Sequence, residues 1–436
     1  MVKPRRTRST AAALLACGAT GVLLACGGSS DAGAGDATTT RRDSAGITLV
    51  TDPVPFGLRD APSSAPHLPE WTAADTPELT LGKAEGGGPE VFGQVTDAVR
   101  LADGTVVVAD GQADELRAFG AHGGHLWSRG GKGGGPQEFR SLQDVAVLPG
   151  DTIAAWDPMA SHLALLTPDG TFADGYTAHV ASGTMSFSLL YGILGSRRAV
   201  TSGGFSPQRM MEAEAGVHRD TTALLVRSAD GSAADTLAVV PGRETEISHP
   251  NGGFQSNAVL FGRASHMAAA GDRVWVGDDD RWEIEALDPA GNVLMRVRMD
   301  REPRRLSDDE IAAERKRRIA DMKRELGQMG SAVPARFVDQ MTERIENGPA
   351  RHTLPAFADL KVGSSGDVWV KESAVDPDGP GRWIVLAADG SLVAVASLPA
   401  GFHVFQVGRD FVLGRTEDDL GVQRVLLYRW VKSEGT

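Results

Sequence analysis

Gly86-Gly87-Gly88-Pro89-Glu90-Val91-Phe92 returns 47 residues later as Gly133-Gly134-Gly135-Pro136-Gln137-Glu138-Phe139. The same offset carries Asp97 onto Asp144, Thr105 onto Thr152, Asp110 onto Asp157, Leu116 onto Leu163 and Gly123 onto Gly170. Self-similarity at one fixed period means a single supersecondary unit copied along the chain, each copy burying its faces only against its neighbours.

Within the unit the spacing is regular. An Asp closes a short apolar run, apolar residues follow at +6 and +9, and a Gly stands at +13. Asp110, Leu116, Phe119 and Gly123 follow this rule, as do Asp157, Leu163, Leu166 and Gly170, and far downstream Asp278, Ile284, Leu287 and Gly291. Val106-Val107-Val108 and Val274-Trp275-Val276 read as buried strands. The Asp opens a turn by accepting bonds from its own backbone, and the Gly closes the next hairpin where positive φ is needed. On this reading the repeated aspartates are turn residues and not catalysts.

Weaker copies fill the rest of the chain. Val368-Trp369-Val370 with Trp383, Leu386 and Gly390 makes one, and Phe411-Val412-Leu413 with Leu426, Leu427 and Tyr428 another. Residues 198–231 give a third, with an insertion at 206–218. Six units of about four short strands predict an all-β fold, a six-bladed β-propeller over residues 77–432. Residues 77–82 stand where residues 125–128 stand in the first unit, before a Gly-rich loop, but have no blade of their own. They are expected to supply the outer strand of the last blade and leave no open edge. Residues 46–76 read as an N-terminal strap whose place the pattern does not fix.

Residues 301–355 break the pattern. Leu306-Ser307-Asp308-Asp309-Glu310-Ile311 combines a capping box (Ser307, Glu310) with a hydrophobic staple (Leu306, Ile311). Ile311, Ile319, Met322 and Leu326 follow at helical spacing, Gly327 and Gly330 break the helix, and Pro334 opens a second one carrying Phe337, Met341 and Ile345. A helical hairpin insertion is therefore expected between blades four and five, either as a lid or as a docking surface. Arg315-Lys316-Arg317-Arg318 lies among Glu310, Glu314, Asp321 and Glu325, as on a solvated helix face.

The N-terminus sets the compartment. Lys3, Arg5, Arg6 and Arg8 precede an uncharged run from Ala11 to Ala25, too short to span a bilayer but suited to a signal-peptide core. It ends in Leu23-Leu24-Ala25-Cys26, which resembles the bacterial lipobox. That resemblance implies a signal peptide at 1–25, a lipidated Cys26 and membrane attachment. Leu14-Leu15-Ala16-Cys17 is a second match, but it would leave a very short apolar core. Gly27-Gly28-Ser29-Ser30 begins a flexible tether over 26–45. The only cysteines are Cys17 and Cys26, so the mature chain has no internal disulfide and depends on a buried core. A formal net charge of −13, more negative once the basic leader is removed, argues against a nucleic-acid partner.

The Gly-rich loop, Pro, Phe, Asp103-Gly104-Thr105-Val106-Val107-Val108-Ala109-Asp110, then Leu116, Phe119 and Gly123 resemble the NHL repeat. The chain as a whole looks like the six-bladed propeller lipoproteins of bacterial envelopes. The resemblance implies a binding platform, although some of its relatives are metal-dependent lyases or hydrolases. Such enzymes use His and acidic groups at the central channel, which the innermost strands line. Asp97, Asp144 and Asp359 occupy equivalent positions there, and His266 and His403 stand one step further along. This ring could bind a ligand or hold a divalent cation; its aspartates could equally bond backbone amides of the neighbouring blade. No cofactor motif, nucleophile elbow, zinc pair or phosphate loop occurs. The reading favoured is a non-catalytic envelope lipoprotein that binds a protein, peptide or glycan on a propeller face. The alternative is a metal-dependent hydrolase or lyase working in the channel.

Overall fold

The structure, a computed structural model, describes residues 40–44, 46–52, 68–180, 187–195, 197–203, 207–250, 253–328 and 333–433, all within one compact unit spanning 37–436. The leader, Cys26 and most of the tether lie outside the described residues.

The two strong repeats become two separate four-stranded antiparallel sheets. The first runs in order Val95–Arg100, Val106–Asp110, Glu115–Phe119, His125–Gly130, and the second Asp144–Leu148, Thr152–Asp157, His162–Leu166, Phe172–Thr177. A third unit takes Leu190–Leu194, Arg198–Ser202, Thr221–Arg227 and Ala234–Pro241; a fourth takes Ser265–Gly271, Arg273–Asp278, Glu283–Leu287 and Val293–Met299. Their first strands pair in parallel, Gly192 opposite Ala269 and Ile193 opposite Ala270, fusing the two into a larger sheet. Gly192 permits this approach: its φ is +139°, and a Cβ there would run into the Ala269 carbonyl.

The fifth unit comprises Phe357–Val362, Val368–Glu372, Pro380–Leu386 and Leu392–Ala400. The last has His403–Val407, Phe411–Glu417 and Gln423–Lys432, and its fourth strand is Leu79–Leu81, with Leu81 opposite Val425 and Leu79 opposite Leu427. Glu70–Ala73 wedges between these two units, parallel to one and antiparallel to the other. The first strands touch in turn. Val95–Arg100 packs against Asp144–Leu148, which packs against Leu190–Leu194; Ser265–Gly271 packs against Phe357–Val362, and His403–Val407 returns to Val95–Arg100.

The core lies between consecutive sheets. Val107, Leu116, Ala118 and Trp127 of the first sheet interleave with Leu142, Val145, Ile153 and Leu166 of the second. Leu79, Leu81, Phe411, Leu413 and Val425 pack on Val95, Val108 and Phe119, tying the end of the chain to its beginning. Each fully buried Leu or Phe contributes about 1.5–3 kcal/mol.

The aspartates that close the apolar runs do more than turn the chain. Asp110, 1% exposed, accepts bonds from the Gln112 N–H in its own turn and from the Gly93 and Gln94 N–H groups at 3.0 and 3.1 Å, and it pairs with Arg117 at 3.1 Å. Asp157 likewise accepts from Arg140 N–H at 2.6 Å and Ser141 N–H at 3.3 Å. Each therefore fastens the Gly-rich loop that enters its own sheet.

Three elements sit on this frame. Residues 40–52 form a hairpin, Thr40–Ser44 with Ile47–Asp52, whose second strand adds in parallel to Val293–Met299. Strand structure thus begins inside the stretch read as tether. A small sheet of Gly216–His218, Thr245–Ser248 and Gln255–Ala258 arises from the connections around the third unit. The helices Asp308–Gln328 and Ala335–Asn347 follow the fourth unit. The capping box forms as its sequence demands, with Ser307 N–H donating to Glu310 Oε2 at 2.9 Å and Glu310 N–H to Ser307 Oγ at 3.2 Å. Leu306 and Ile311 are buried with Leu260 and Leu354. Arg315 donates to the carbonyls of Ile345 (2.8 Å), Glu346 and Gly348 (2.7 Å), capping the C-terminus of the second helix. Among the described residues no helix is long and apolar enough to cross a membrane.

Candidate functional site

The first strands of the units bring several of the ring residues together. In the strands carrying Asp97 and Asp359 the pairing slips just before the aspartate, between Val95 and Asp97 and between Phe357 and Asp359. A bulge of this kind re-aims the side chain that follows it. Asp97 Oδ1 accepts from Ala98 N–H at 2.8 Å, and Oδ2 accepts from Val145 N–H at 3.0 Å, across the junction with the second sheet. This places Asp97 beside Asp144.

Two half-buried carboxylates so close cannot both ionise easily. Burial pushes Asp97 up to about 6, against the lowering pull of the Val145 amide and Lys361. Burial, reinforced by the charge on Asp97, pushes Asp144 up to about 7, again opposed by Lys361. Lys361 Nζ also lies 3.9 Å from Asp359 Oδ2. His403 keeps solvent contact, yet it is enclosed on enough sides that desolvation, then the positive charges of Lys361 and Arg415, hold its imidazole neutral, down to about 4. Asp97, Asp144, Asp359 and His403 thus share one electrostatic neighbour, Lys361.

Reading only acids and imidazoles from the sequence misses Lys361. Its signal was strand alternation: two residues beyond Asp359, it falls on the same side of Phe357–Val362. His266 does not join this group. Its Nε2 lies 3.2 Å from Asp279 Oδ2, its ring packs on Phe357 at 5.3 Å, and among the described residues no hydrogen bond or ion pair links it to the other four. Asp279, 3% exposed, also accepts the Ala264 N–H at 2.8 Å. The expected ring therefore divides into an Asp97–Asp144–Asp359–His403 group around Lys361 and a separate His266–Asp279 pair.

Among the described residues no three His, Cys, Asp or Glu side chains come together as metal ligands, and an ammonium group meets the carboxylate charge instead. Burial raises both carboxyls towards neutral pH, so there Asp144 can present a protonated group that donates or an ionised one that accepts a hydrogen bond. Together with the neutral His403, that suits recognition of hydroxyl or amide groups.

No protein-family model and no curated protein matches the chain. Solved structures similar to it include a member of the DUF4221 family from Bacteroides vulgatus (10% identity, TM-score 0.43, covering 85% of this chain and 98% of that one). Virginiamycin B lyase from Staphylococcus aureus is also similar (9%, 0.36, 77% and 96%), as is BamB from Moraxella catarrhalis (10%, 0.31, 82% and 98%). At these scores the likeness is one of outline and says nothing of what this chain binds.

Proposed function

We propose that the chain is a lipid-anchored envelope protein whose four-stranded units close into a six-bladed propeller, with the helical hairpin of 301–355 inserted between blades four and five. In this reading it binds a protein, peptide or glycan partner without catalysing a reaction. One observation carries it: the polar groups best placed for chemistry already serve the scaffold. Asp97 holds the Val145 amide of the next sheet, Asp110 and Asp157 fasten the Gly-rich loops, and His266 is held by Asp279. What remains around Lys361 can recognise hydrogen-bonding groups but contains no activated nucleophile with its base.

The test uses the full-length protein in envelope membranes. Loss of acyl labelling and of membrane retention in Cys26→Ser supports the anchor; unchanged retention contradicts it. A photo-crosslinking residue at His403, in the group around Lys361, should give a discrete adduct that disappears when the label is moved to His125 on the outer strand of the first sheet; no adduct at His403 contradicts the binding reading. Stoichiometric metal in the purified protein, lost in Asp144→Ala, would instead establish the hydrolase or lyase alternative.

A further inference from the structure

The border between the third and fourth units is closed differently from the one after it. In the fourth unit the second strand opens with Arg273, which donates to the Ala388 carbonyl at 2.6 Å. Ala388 lies in a turn of the fifth unit, closed by Gly390 N–H on the Ala387 carbonyl, so this arginine bolts one unit to the next. The third unit opens its second strand with Arg198. Its neighbour Arg197 pairs with Asp174, but the Arg198 guanidinium makes no hydrogen bond or ion pair among the described residues. The matching turn of the fourth unit is closed by Gly291 N–H on the Asp288 carbonyl. Between that turn and the third sheet lies a cavity of about 550 Å³, lined by Arg198, Val226, Asp235, Leu237, Asp288 and Pro289 among others.

Strand register fixes which side chains meet there. Val226 is the direct partner of Val200 on one side and of Asp235 on the other. Cross-strand partners share a face, and Arg198, two residues before Val200, shares it too. A half-buried guanidinium and an exposed carboxylate thus look out from one face of the third sheet. Gly291, at φ +88°, lets the opposing turn close on the Leu237 carbonyl, where a Cβ would collide. Asp288 is fixed in that turn by the Asn292 side-chain amide at 2.8 Å and by the N–H groups of Asn292 and Ala290, both at 2.9 Å. These bonds hold its carboxyl below the usual carboxylate range. Asp235 has no side-chain partner among the described residues.

The cavity therefore presents one cation and two carboxylates that do not pair with one another. A simple anion would gain Arg198 but meet both carboxylates; a simple cation would gain the carboxylates but meet the guanidinium. A ligand bearing both charges satisfies all three. Val226, Leu237 and Pro289 add an apolar wall, and the volume falls in the range of small-molecule sites. We propose that this cavity binds a zwitterionic amino acid or short peptide with an apolar side chain, its carboxylate on Arg198 and its ammonium on Asp235 and Asp288. The site shares no residue with the group around Lys361.

Equilibrium dialysis of the full-length protein in detergent, at low ionic strength, tests this with radiolabelled L-leucine and L-leucyl-L-leucine. At least one should bind saturably, one per chain, and the tighter of the two decides between amino acid and peptide. N-acetyl-L-leucine lacks the ammonium and L-leucinamide lacks the carboxylate; each should compete at least about tenfold more weakly than L-leucine. These derivatives probe both charges without altering the fold. Arg198→Gln and Asp235→Asn, at the parent's urea midpoint, should each weaken binding about tenfold or more. Neither probe binding, either derivative competing as well as L-leucine, or unchanged affinity in either variant would overturn the site. Binding of phosphoethanolamine in place of both probes would assign the zwitterion to a lipid headgroup and overturn the amino-acid ligand. The crosslink at His403 reports on the other site and is independent of these results.

Discussion

Asp144→Asn should stabilise the protein at alkaline pH and leave it nearly unchanged in acid. The folded-state pKa of Asp144 is raised from 3.8 to about 7, so between those values the folded chain holds a proton that the unfolded chain releases. Stability therefore falls as pH rises from about 4 through about 7. At about 1.4 kcal/mol per pKa unit, the whole rise would cost about 4 kcal/mol at pH 8. Asp144 keeps partial solvent contact, and part of the rise comes from the Asp97 charge, so about half that figure is expected, roughly 2 kcal/mol. Its carboxylate makes no hydrogen bond among the described residues, so the amide breaks nothing in replacing it. Urea unfolding of parent and variant at pH 8 and pH 4 measures the difference directly. At pH 4 the two should agree within about 0.5 kcal/mol. A variant less stable than the parent at pH 8 would refute the reasoning, because the ionised carboxylate would then be a group the fold requires.

Asp110→Ala strands two loop amides and leaves the buried Arg117 with Glu115, at 3.1 Å, as its one counter-charge among the described residues. It should cost about 3–5 kcal/mol, read as a lower urea midpoint at unchanged slope. Gly192→Ala forces a Cβ into the Ala269 carbonyl at positive φ and should cost at least about 2 kcal/mol by the same assay, with lost amide protection in Leu190–Leu194. Arg315→Ala removes the cap from the second helix. Hydrogen exchange over Ala335–Asn347 should accelerate while the sheets keep their protection; unchanged exchange would mean the helix–helix contact alone holds it.

Much of the frame was legible because a repeat states the same structural demand several times. The turn aspartates, the glycines at +13 and the apolar runs recur, and residues 77–82 were recognisable by standing where another unit has its outer strand. The capping box and staple were legible because they are purely local. What escaped is what depends on distant partners. Glu-Trp-Thr-Ala at 70–73 carries no strand alternation; it becomes a strand because Val395 and Val431 flank it from far along the chain. Thr40–Ser44 is exposed throughout, so no hydrophobic pattern marked it. The site was legible in part for the same reason. Spacing gave Asp97, Asp144 and Asp359 their common position, and the tertiary fold added Lys361 to them. His266 went to Asp279 because that residue directly follows a turn aspartate whose orientation only the folded hairpin sets.

The closing contact between the two ends of the chain is testable with one cysteine pair. Thr80 and Leu426 are direct partners across the antiparallel strands, at a separation a disulfide can bridge. In the Thr80→Cys/Leu426→Cys protein, mild oxidation should form an intramolecular bond in near-quantitative yield, seen as faster migration on non-reducing gels, with monomeric mass retained. Thiols that stay free, or that link only between molecules, would contradict a last sheet completed by Leu79–Leu81 and with it the proposed closed propeller.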